Sequence, residues 1–130
     1  MRMTRRPFRR SDTLALVTIA KVGLAIQPVH AAGGAGRGEM LYQLCQGCHA
    51  IDNNGIGPIH RGVVGRAAGI VAGYDYSIAL RNAKIVWTED NLDKWLASPQ
   101  RLVPGTKMFY AVADPKDRAD LIAFLKERVR

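Results

Sequence analysis

The five-residue stretch CQGCH, Cys45 to His49, constrains this sequence more than any other feature. It holds both cysteines of the 130-residue chain and one of its three histidines. Two cysteines separated by only two residues would form a tight, strained disulfide loop, which suits a structural crosslink poorly. The spacing is instead typical of thiols that take part in redox chemistry, metal binding or covalent attachment of a cofactor.

Three interpretations of CQGCH differ in what they require from the rest of the chain. A thioredoxin-like dithiol needs a strand–helix context, but the preceding GEMLYQLC has no strand-like alternation and is typical of a helix. A structural zinc site needs four ligands, and residues 32–130 add only His60 to the stretch. Covalent haem uses Cys45 and Cys48 for the two vinyl groups and His49 for the iron. Haem attachment is therefore favoured, with a zinc-binding module at Cys45, Cys48 and His49 as an alternative.

A single methionine is well placed to complete the coordination of the iron. Met1 and Met3 lie at the N-terminus and Met40 is too close to Cys45, which leaves Met108 in VPGTKMFY. Methionine paired with histidine raises the reduction potential of haem iron. Because both axial positions would be filled, the sequence predicts an electron carrier and not an enzyme. A haem peroxidase is the alternative if Met108 is displaced.

The first 31 residues have the layout of an export signal. Five arginines precede a mostly apolar segment, residues 13–26, and small residues at Val29 and Ala31 predict cleavage near Ala31 and Ala32. The apolar segment is too short for a membrane-spanning helix, and Lys21 interrupts it. TRRPFRR, residues 4–10, resembles a twin-arginine signal, although the general secretory route is favoured. We therefore expect a signal at residues 1–31, one domain at residues 32–130, and a periplasmic mature chain that does not insert stably into a membrane.

The charge balance argues against nucleic-acid binding. The whole chain has a net charge of +8, but six of its 19 basic residues and only one of its 11 acidic residues lie within residues 1–31. The mature chain is therefore at +3, and its basic residues are scattered and do not form a stripe. No nucleic-acid partner is expected, and the mature chain is expected to be a monomer.

Seven segments occur in the order and near the spacing found in one protein family. They are CQGCH, GIGP (55–58), GVVGRAAG (62–69), GYDYS (73–77), IVWTEDNLDKWL (85–96), VPGTKM (103–108) and DPKDRADLIAFLK (114–126). Together they resemble the class I c-type cytochromes, specifically the small soluble mitochondrial and purple-bacterial type. The resemblance implies an all-α fold in which four to five short helices and long glycine-rich loops surround one covalently attached haem c.

The residue pattern itself predicts several of these helices. A first helix is expected over residues 38–45. Thr88 is suited to cap a second helix, which Pro99 would end, and Asp114 followed by Pro115 is suited to begin the last one. Leu121, Phe124, Leu125 and Val129 recur with helical period, so one face of the last helix is expected to be buried.

The resemblance also implies roles for residues around the haem. Pro58 matches a proline whose carbonyl accepts a hydrogen bond from the proximal imidazole, and Thr106 lies in the methionine loop as in the family. Tyr76 and Trp87 match residues that bond a buried haem propionate, and Arg66 matches a nearby basic position.

The sequence also departs from the family pattern at several positions. His60 replaces a usual leucine and is expected to be a neutral imidazole in the pocket wall. Trp95 replaces a tyrosine whose hydroxyl approaches the methionine sulfur, and Leu80 replaces an asparagine, so a drier distal side is expected.

The expected function is single-electron transfer in a respiratory or photosynthetic chain. The family suggests transient redox partners, namely a membrane quinol-oxidising complex as donor and a terminal oxidase or reaction centre as acceptor. Candidate residues for a basic, steering surface near the haem edge are Lys84, Lys94, Arg101, Lys107 and Lys116.

Overall fold

Five helices joined by long loops make up the described part of the chain. The computed structural model describes residues 34–130. Its helices are α1 (Ala35–Tyr42), α2 (Ile78–Asn82), α3 (Glu89–Ala97), α4 (Pro99–Leu102) and α5 (Pro115–Arg128). Within this part, β pairing is limited to an isolated bridge between Ala67 and Val86. The all-α expectation with four to five short helices is confirmed, whereas the export signal expected at residues 1–31 lies outside the described residues.

Side-chain caps fix the starts of the helices that matter most for the site. The Thr88 hydroxyl accepts a hydrogen bond of 3.1 Å from the Asn91 amide, and the Asp114 carboxylate accepts one of 2.7 Å from the Lys116 amide. Both groups satisfy amides that have no partner inside the helix. The two predicted N-caps are therefore confirmed.

The first helix ends earlier than the sequence pattern predicted. α1 stops at Tyr42, and residues 43–48 continue as a series of turns. The Cys45 amide donates to the Tyr42 carbonyl at 2.8 Å, and the Cys48 amide donates to the Cys45 carbonyl at 3.1 Å. This tighter winding carries the chain directly from α1 into the CQGCH stretch.

The first and last helices pack closely against each other. Gly38 of α1 lies so near α5 that a Cβ at this position would overlap the backbone carbonyl of Asp120. Asp120 is almost fully buried, and its carboxylate accepts hydrogen bonds from the Gly34 amide and the Arg37 guanidinium, both at 2.6 Å. The predicted buried positions are confirmed, since Leu121, Phe124 and Leu125 of α5 are buried, as is Val129 directly after its end.

Helices α3 and α5, together with the loops before α3 and the loop that carries Met108, surround a large cavity. Trp95 and Leu96 of α3, and Leu121 and Leu125 of α5, are core residues that also line it. No helix within residues 34–130 is both long enough and apolar enough to cross a membrane.

Candidate functional site

The cavity brings the four candidate attachment and ligand residues to one place. It has a volume of about 520 Å³ and is lined by Cys45, Cys48, His49 and Met108. Most of its other walls are apolar or aromatic, including Val63, Tyr76, Leu80, Trp87, Leu92, Leu96, Leu121 and Leu125. A space with apolar walls, two thiols, an imidazole and a thioether fits a flat, apolar ring system that carries an iron.

The imidazole of His49 is held by its backbone surroundings. Its Nδ1 atom lies 2.9 Å from the Pro58 carbonyl oxygen, which can accept a hydrogen bond only if Nδ1 carries the proton. The other nitrogen, Nε2, is then unprotonated and able to bind a metal. Gly57 allows this arrangement, because a Cβ there would overlap the ring of His49. Burial lowers the pKa of His49, and the bond to the Pro58 carbonyl partly opposes that shift.

His60 lies directly against His49. The two rings stack with centroids 4.0 Å apart and an interplanar angle of 19°. The Nδ1 atom of His60 is also joined to the Tyr42 hydroxyl by a hydrogen bond of 3.0 Å. Burial, together with the nearby His49 and Arg66 charges, lowers the pKa of His60 to about 3. The ring is therefore neutral at physiological pH and belongs to the pocket wall.

Met108 has a hydrogen-bond donor beside its sulfur. The indole Nε1 of Trp95 donates to Met108 Sδ at 3.2 Å. The expectation that replacing tyrosine by tryptophan removes the polar group beside the sulfur is therefore wrong, because the indole N–H takes the place of the hydroxyl. A thioether sulfur has two lone pairs, so one remains available to a metal.

Gln100, which the sequence analysis did not single out, fastens the loop that carries Met108. Its Nε2 donates to the carbonyl oxygens of Thr106 at 2.6 Å and Met108 at 3.2 Å, and its Oε1 accepts from the Gly105 amide at 3.3 Å. Gly105 makes the turn with a φ of +87°, which side chains disfavour. Thr106 is buried. No local motif marks Gln100, because its partners lie five to eight residues further along the chain.

A buried polar corner lines another part of the same cavity. Tyr76 and Trp87 are both buried, and burial raises the pKa of Tyr76. The guanidinium of Arg66 donates to the carbonyls of Arg61 and Ile59, both at 2.8 Å, and burial lowers its pKa. All three residues line the cavity, and their side chains carry N–H and O–H donors of the kind that a carboxylate needs.

The thiol of Cys45 is shifted away from the range of a reactive dithiol. Both cysteines are free thiols. Burial, and to a smaller extent the charge of the neighbouring Cys48, raises the pKa of Cys45 to about 11. Reactive dithiols need the opposite shift, because the thiolate is the nucleophile. Among residues 34–130, no three His, Cys, Asp or Glu side chains converge to form a metal site. The zinc interpretation therefore gains no support.

The rim of the cavity is apolar rather than basic. Leu44, Ile56 and Phe109 line it and are between 65% and 78% exposed. Of the five basic candidates for a steering surface, Lys94, Lys107 and Lys116 are paired with acidic residues of the same chain, namely Asp90, Asp75 and Asp120. Much of the expected free positive charge is therefore neutralised within the protein.

Comparisons with known proteins agree with this geometry. The sequence model of cytochrome c matches residues 35–128. The chain belongs to the cytochrome c family. It is 42% identical over 116 residues to cytochrome c2 of Rhodomicrobium vannielii, covering 84% of this chain and 93% of that protein. It is 46% identical over 98 residues to cytochrome c of Euglena viridis, covering 72% of this chain and 96% of that protein.

A solved structure shares the fold of this cytochrome. Cytochrome cH from Methylobacterium extorquens matches with a TM-score of 0.72 and 44% identity, covering 74% of this chain and all of that one. The protein is thus a class I c-type cytochrome that carries covalently attached haem c. It transfers electrons with redox partner proteins and is not an enzyme, so the peroxidase and zinc alternatives are not supported.

Proposed function

We propose that Cys45 and Cys48 hold the haem through thioether bonds and that His49 and Met108 are the axial ligands of its iron. The observation that carries this assignment is the shared cavity, which all four residues line. When bound, the haem supplies an iron that alternates between the ferric and ferrous states. Pro58, Arg66, Tyr76, Trp87 and Thr106 support it from the cavity wall.

The chemistry of the ligands explains why the iron exchanges electrons and does not bind substrate. The hydrogen bond to Pro58 keeps the Nε2 atom of His49 unprotonated and makes it a stronger donor. The neutral, soft sulfur of Met108 favours ferrous iron and keeps the potential high. With both positions filled, small oxidants have no open coordination position.

The polar corner supports a role in holding a propionate. Arg66 provides positive charge, and Tyr76 and Trp87, which line the same cavity, carry an O–H and an N–H that could donate to a carboxylate. A buried carboxylate is costly unless it is paired and hydrogen-bonded. These three residues would hold one acidic group of the haem and so help to orient it.

The cellular role we propose is electron transfer in the periplasm of a bacterium. The protein would accept single electrons from a membrane quinol-oxidising complex and deliver them to a terminal oxidase or a photosynthetic reaction centre. Support comes from the signal-like residues 1–31 and from the similarity to cytochrome c2. Contacts with such partners are small and transient in redox proteins.

The site is tested by producing the full chain in a bacterium that attaches haem c and recording absorption spectra. We expect a pyridine haemochrome spectrum with both vinyl groups saturated, and a one-electron redox titration. The double variant Cys45→Ala/Cys48→Ala is expected to yield no covalently bound haem. Gln46→Ala, which changes an exposed residue of the same turn, is the matched control and is expected to retain the spectrum of the parent.

Metal analysis separates the outcomes. One iron per chain in the parent, lost in the double cysteine variant, supports the assignment. A zinc-containing, haem-free parent would contradict it, as would full covalent haem in the double variant.

Export is tested by fractionating the producing cells. Thioether bonds form outside the cytoplasm on an unfolded chain, so the general secretory route is proposed. Changing Arg5 and Arg6 to Lys is therefore expected to leave periplasmic haem protein nearly unchanged. Complete loss of exported protein would favour the twin-arginine route for folded proteins.

A further inference from the structure

A continuous row of ring contacts connects the terminal helices to the proximal imidazole. Phe124 of α5 packs on Tyr42 with ring centroids 5.1 Å apart, Tyr42 contacts His60 at 5.6 Å, and His60 stacks on His49 at 4.0 Å. We call these four residues the aromatic row. Tyr42 is the best buried of them, with 1% of its surface exposed.

Each inner member of the aromatic row is held by more than one contact. Tyr42 is clamped between α5 and His60, and its hydroxyl bonds the Nδ1 atom of His60 at 3.0 Å. His60 therefore cannot turn without breaking this partly buried hydrogen bond and losing its contact with the Tyr42 ring. Such a fixed ring is a rigid surface for its neighbour.

His49 needs a second constraint besides its hydrogen bond. Carbonyl oxygens accept hydrogen bonds over a broad range of directions. The bond to the Pro58 carbonyl therefore holds the Nδ1 atom of His49 but permits some rotation of the imidazole about its metal-binding nitrogen. A flat ring stacked at 19° restricts that rotation directly.

We propose that His60 is a positioning residue, which holds the imidazole of His49 at one rotational angle about its bond to iron through the aromatic row. The inference rests on the proposed role of His49 as an axial ligand. Leucine, which the family resemblance implies at this position, has neither a flat face nor a hydrogen-bond acceptor. This chain thus has a restraint on its proximal ligand that depends on Tyr42 and His60 together.

The restraint has two consequences for electron transfer. A ligand plane that cannot rotate keeps the same geometry in both oxidation states, which lowers the reorganisation that accompanies each electron. The angle of the imidazole plane, together with the orientation of the Met108 sulfur, would decide which iron orbital holds the unpaired electron of the ferric state. The distribution of spin over the haem edge therefore reports that angle.

The test measures the four haem methyl resonances in proton NMR spectra of the ferric holoprotein, together with its EPR g values. His60→Leu removes the flat face and is expected to change the order and spread of the methyl shifts. His60→Phe restores a flat face and is expected to return the shifts toward those of the parent. Tyr42→Phe removes only the hydroxyl and is expected to give a smaller change in the same direction as His60→Leu.

Two further variants control for folding. His60→Leu alone leaves the Tyr42 hydroxyl without its partner, so Tyr42→Phe/His60→Leu removes both polar groups and is expected to fold while keeping the altered methyl pattern. Ile122→Ala removes apolar volume from the core at a buried residue that does not line the cavity. It is expected to lower the stability but to keep the order of the methyl shifts.

The outcomes distinguish this inference from the proposed function. Unchanged methyl shifts and g values in His60→Leu and in the double variant, with haem c and its sulfur ligation intact, would overturn the positioning role alone. A change in Ile122→Ala as large as that in His60→Leu would overturn it as well. Absence of covalent haem in the parent would instead contradict the proposed site.

Discussion

Trp95 and Met108 are joined by a hydrogen bond in which the indole Nε1–H donates to the thioether Sδ at 3.2 Å. The donor comes from α3 and the acceptor from the loop after α4. The bond occupies one lone pair of the sulfur and holds the side chain against the wall of the cavity. Trp95 is thereby placed to influence how firmly Met108 binds the iron.

Replacing Trp95 by Phe is expected to weaken the ligation by Met108. A neutral hydrogen bond contributes about 0.5–1.5 kcal/mol net, so competing ligands should displace the sulfur up to roughly tenfold more readily. The sulfur-to-ferric charge-transfer absorption, followed during a pH titration, should therefore disappear at lower pH than in the parent. Trp87→Phe, which removes the other indole of the cavity, serves as the control. An equal shift in both variants would argue against a specific role for the N–H donor.

Gln100→Glu is expected to loosen the Met108 loop. The change keeps the shape of the side chain but replaces the amide N–H₂, which donates to the carbonyls of Thr106 and Met108. A carboxylate facing two carbonyl oxygens is repelled, so the loop should be destabilised by about 1–3 kcal/mol. The charge-transfer absorption should be lost at lower temperature in a thermal scan. Arg101→Ala, at the adjacent exposed position, should leave that temperature unchanged.

Met108→Ala is expected to convert the carrier into a weak peroxidase. Loss of the sulfur should lower the reduction potential, remove the charge-transfer absorption and leave a coordination position open to peroxide. The haem should remain attached through Cys45, Cys48 and His49. His60 is not expected to replace the sulfur, since it is stacked on His49. A variant with the potential and low-spin spectrum of the parent would show that Met108 is not a ligand.

Local features of this cytochrome were predictable from its sequence, whereas contacts across the cavity were not. The caps at Thr88 and Asp114 depend on residues within three positions, and the CQGCH stretch is contiguous. The bond from Trp95 to Met108 depends on how α3 faces a separate loop. The expectation of a drier distal side considered only the missing hydroxyl at Trp95 and overlooked its indole N–H donor. The contact between Tyr42 and His60 was equally invisible, because it requires α1 and the following loop to be placed in three dimensions.

Gly38→Ala is expected to separate α1 from α5. The new Cβ would overlap the backbone of Asp120, and overpacking of this kind costs typically about 1–3 kcal/mol. Gly36→Ala is a matched control in the same helix, because nothing lies within 4 Å of a Cβ there. The control should gain about 0.5–1 kcal/mol from helix propensity. Denaturant unfolding of the two holoproteins measures both changes, and similar values would contradict the packing argument.

Asp120→Asn is expected to destabilise the protein at neutral pH and to have less effect in acid. The Lys116 ammonium, the Arg37 guanidinium and the Gly34 amide all bond this carboxylate and hold its pKa well below the usual 3.8. The stabilisation by the Asp120 carboxylate is therefore complete above the usual pKa of 3.8 and is lost as the pH falls below it. Loss of charge-assisted hydrogen bonds should cost about 1.5–3 kcal/mol at pH 7.

Thermal unfolding of the parent and of Asp120→Asn, measured from pH 7 to below pH 3.8, gives the effect of Asp120 on stability. The difference between them should narrow as the parent carboxylate becomes protonated. Asp117→Asn removes a more exposed partner of Arg37 and should cost less than about 1 kcal/mol. A difference between parent and Asp120→Asn that is constant with pH would exclude the proposed charge effect.

The close packing of α1 on α5 joins the two ends of the described chain. The loops that carry His49 and Met108 lie between these helices in the sequence. Either loop can therefore open while the helix contact at Gly38 and Asp120 stays intact. In hydrogen-exchange terms, amides of the Met108 loop should exchange through local openings, and those of α1 and α5 only when the whole molecule unfolds. Brief detachment of the sulfur would then be a reversible event within a folded protein and would not begin its denaturation.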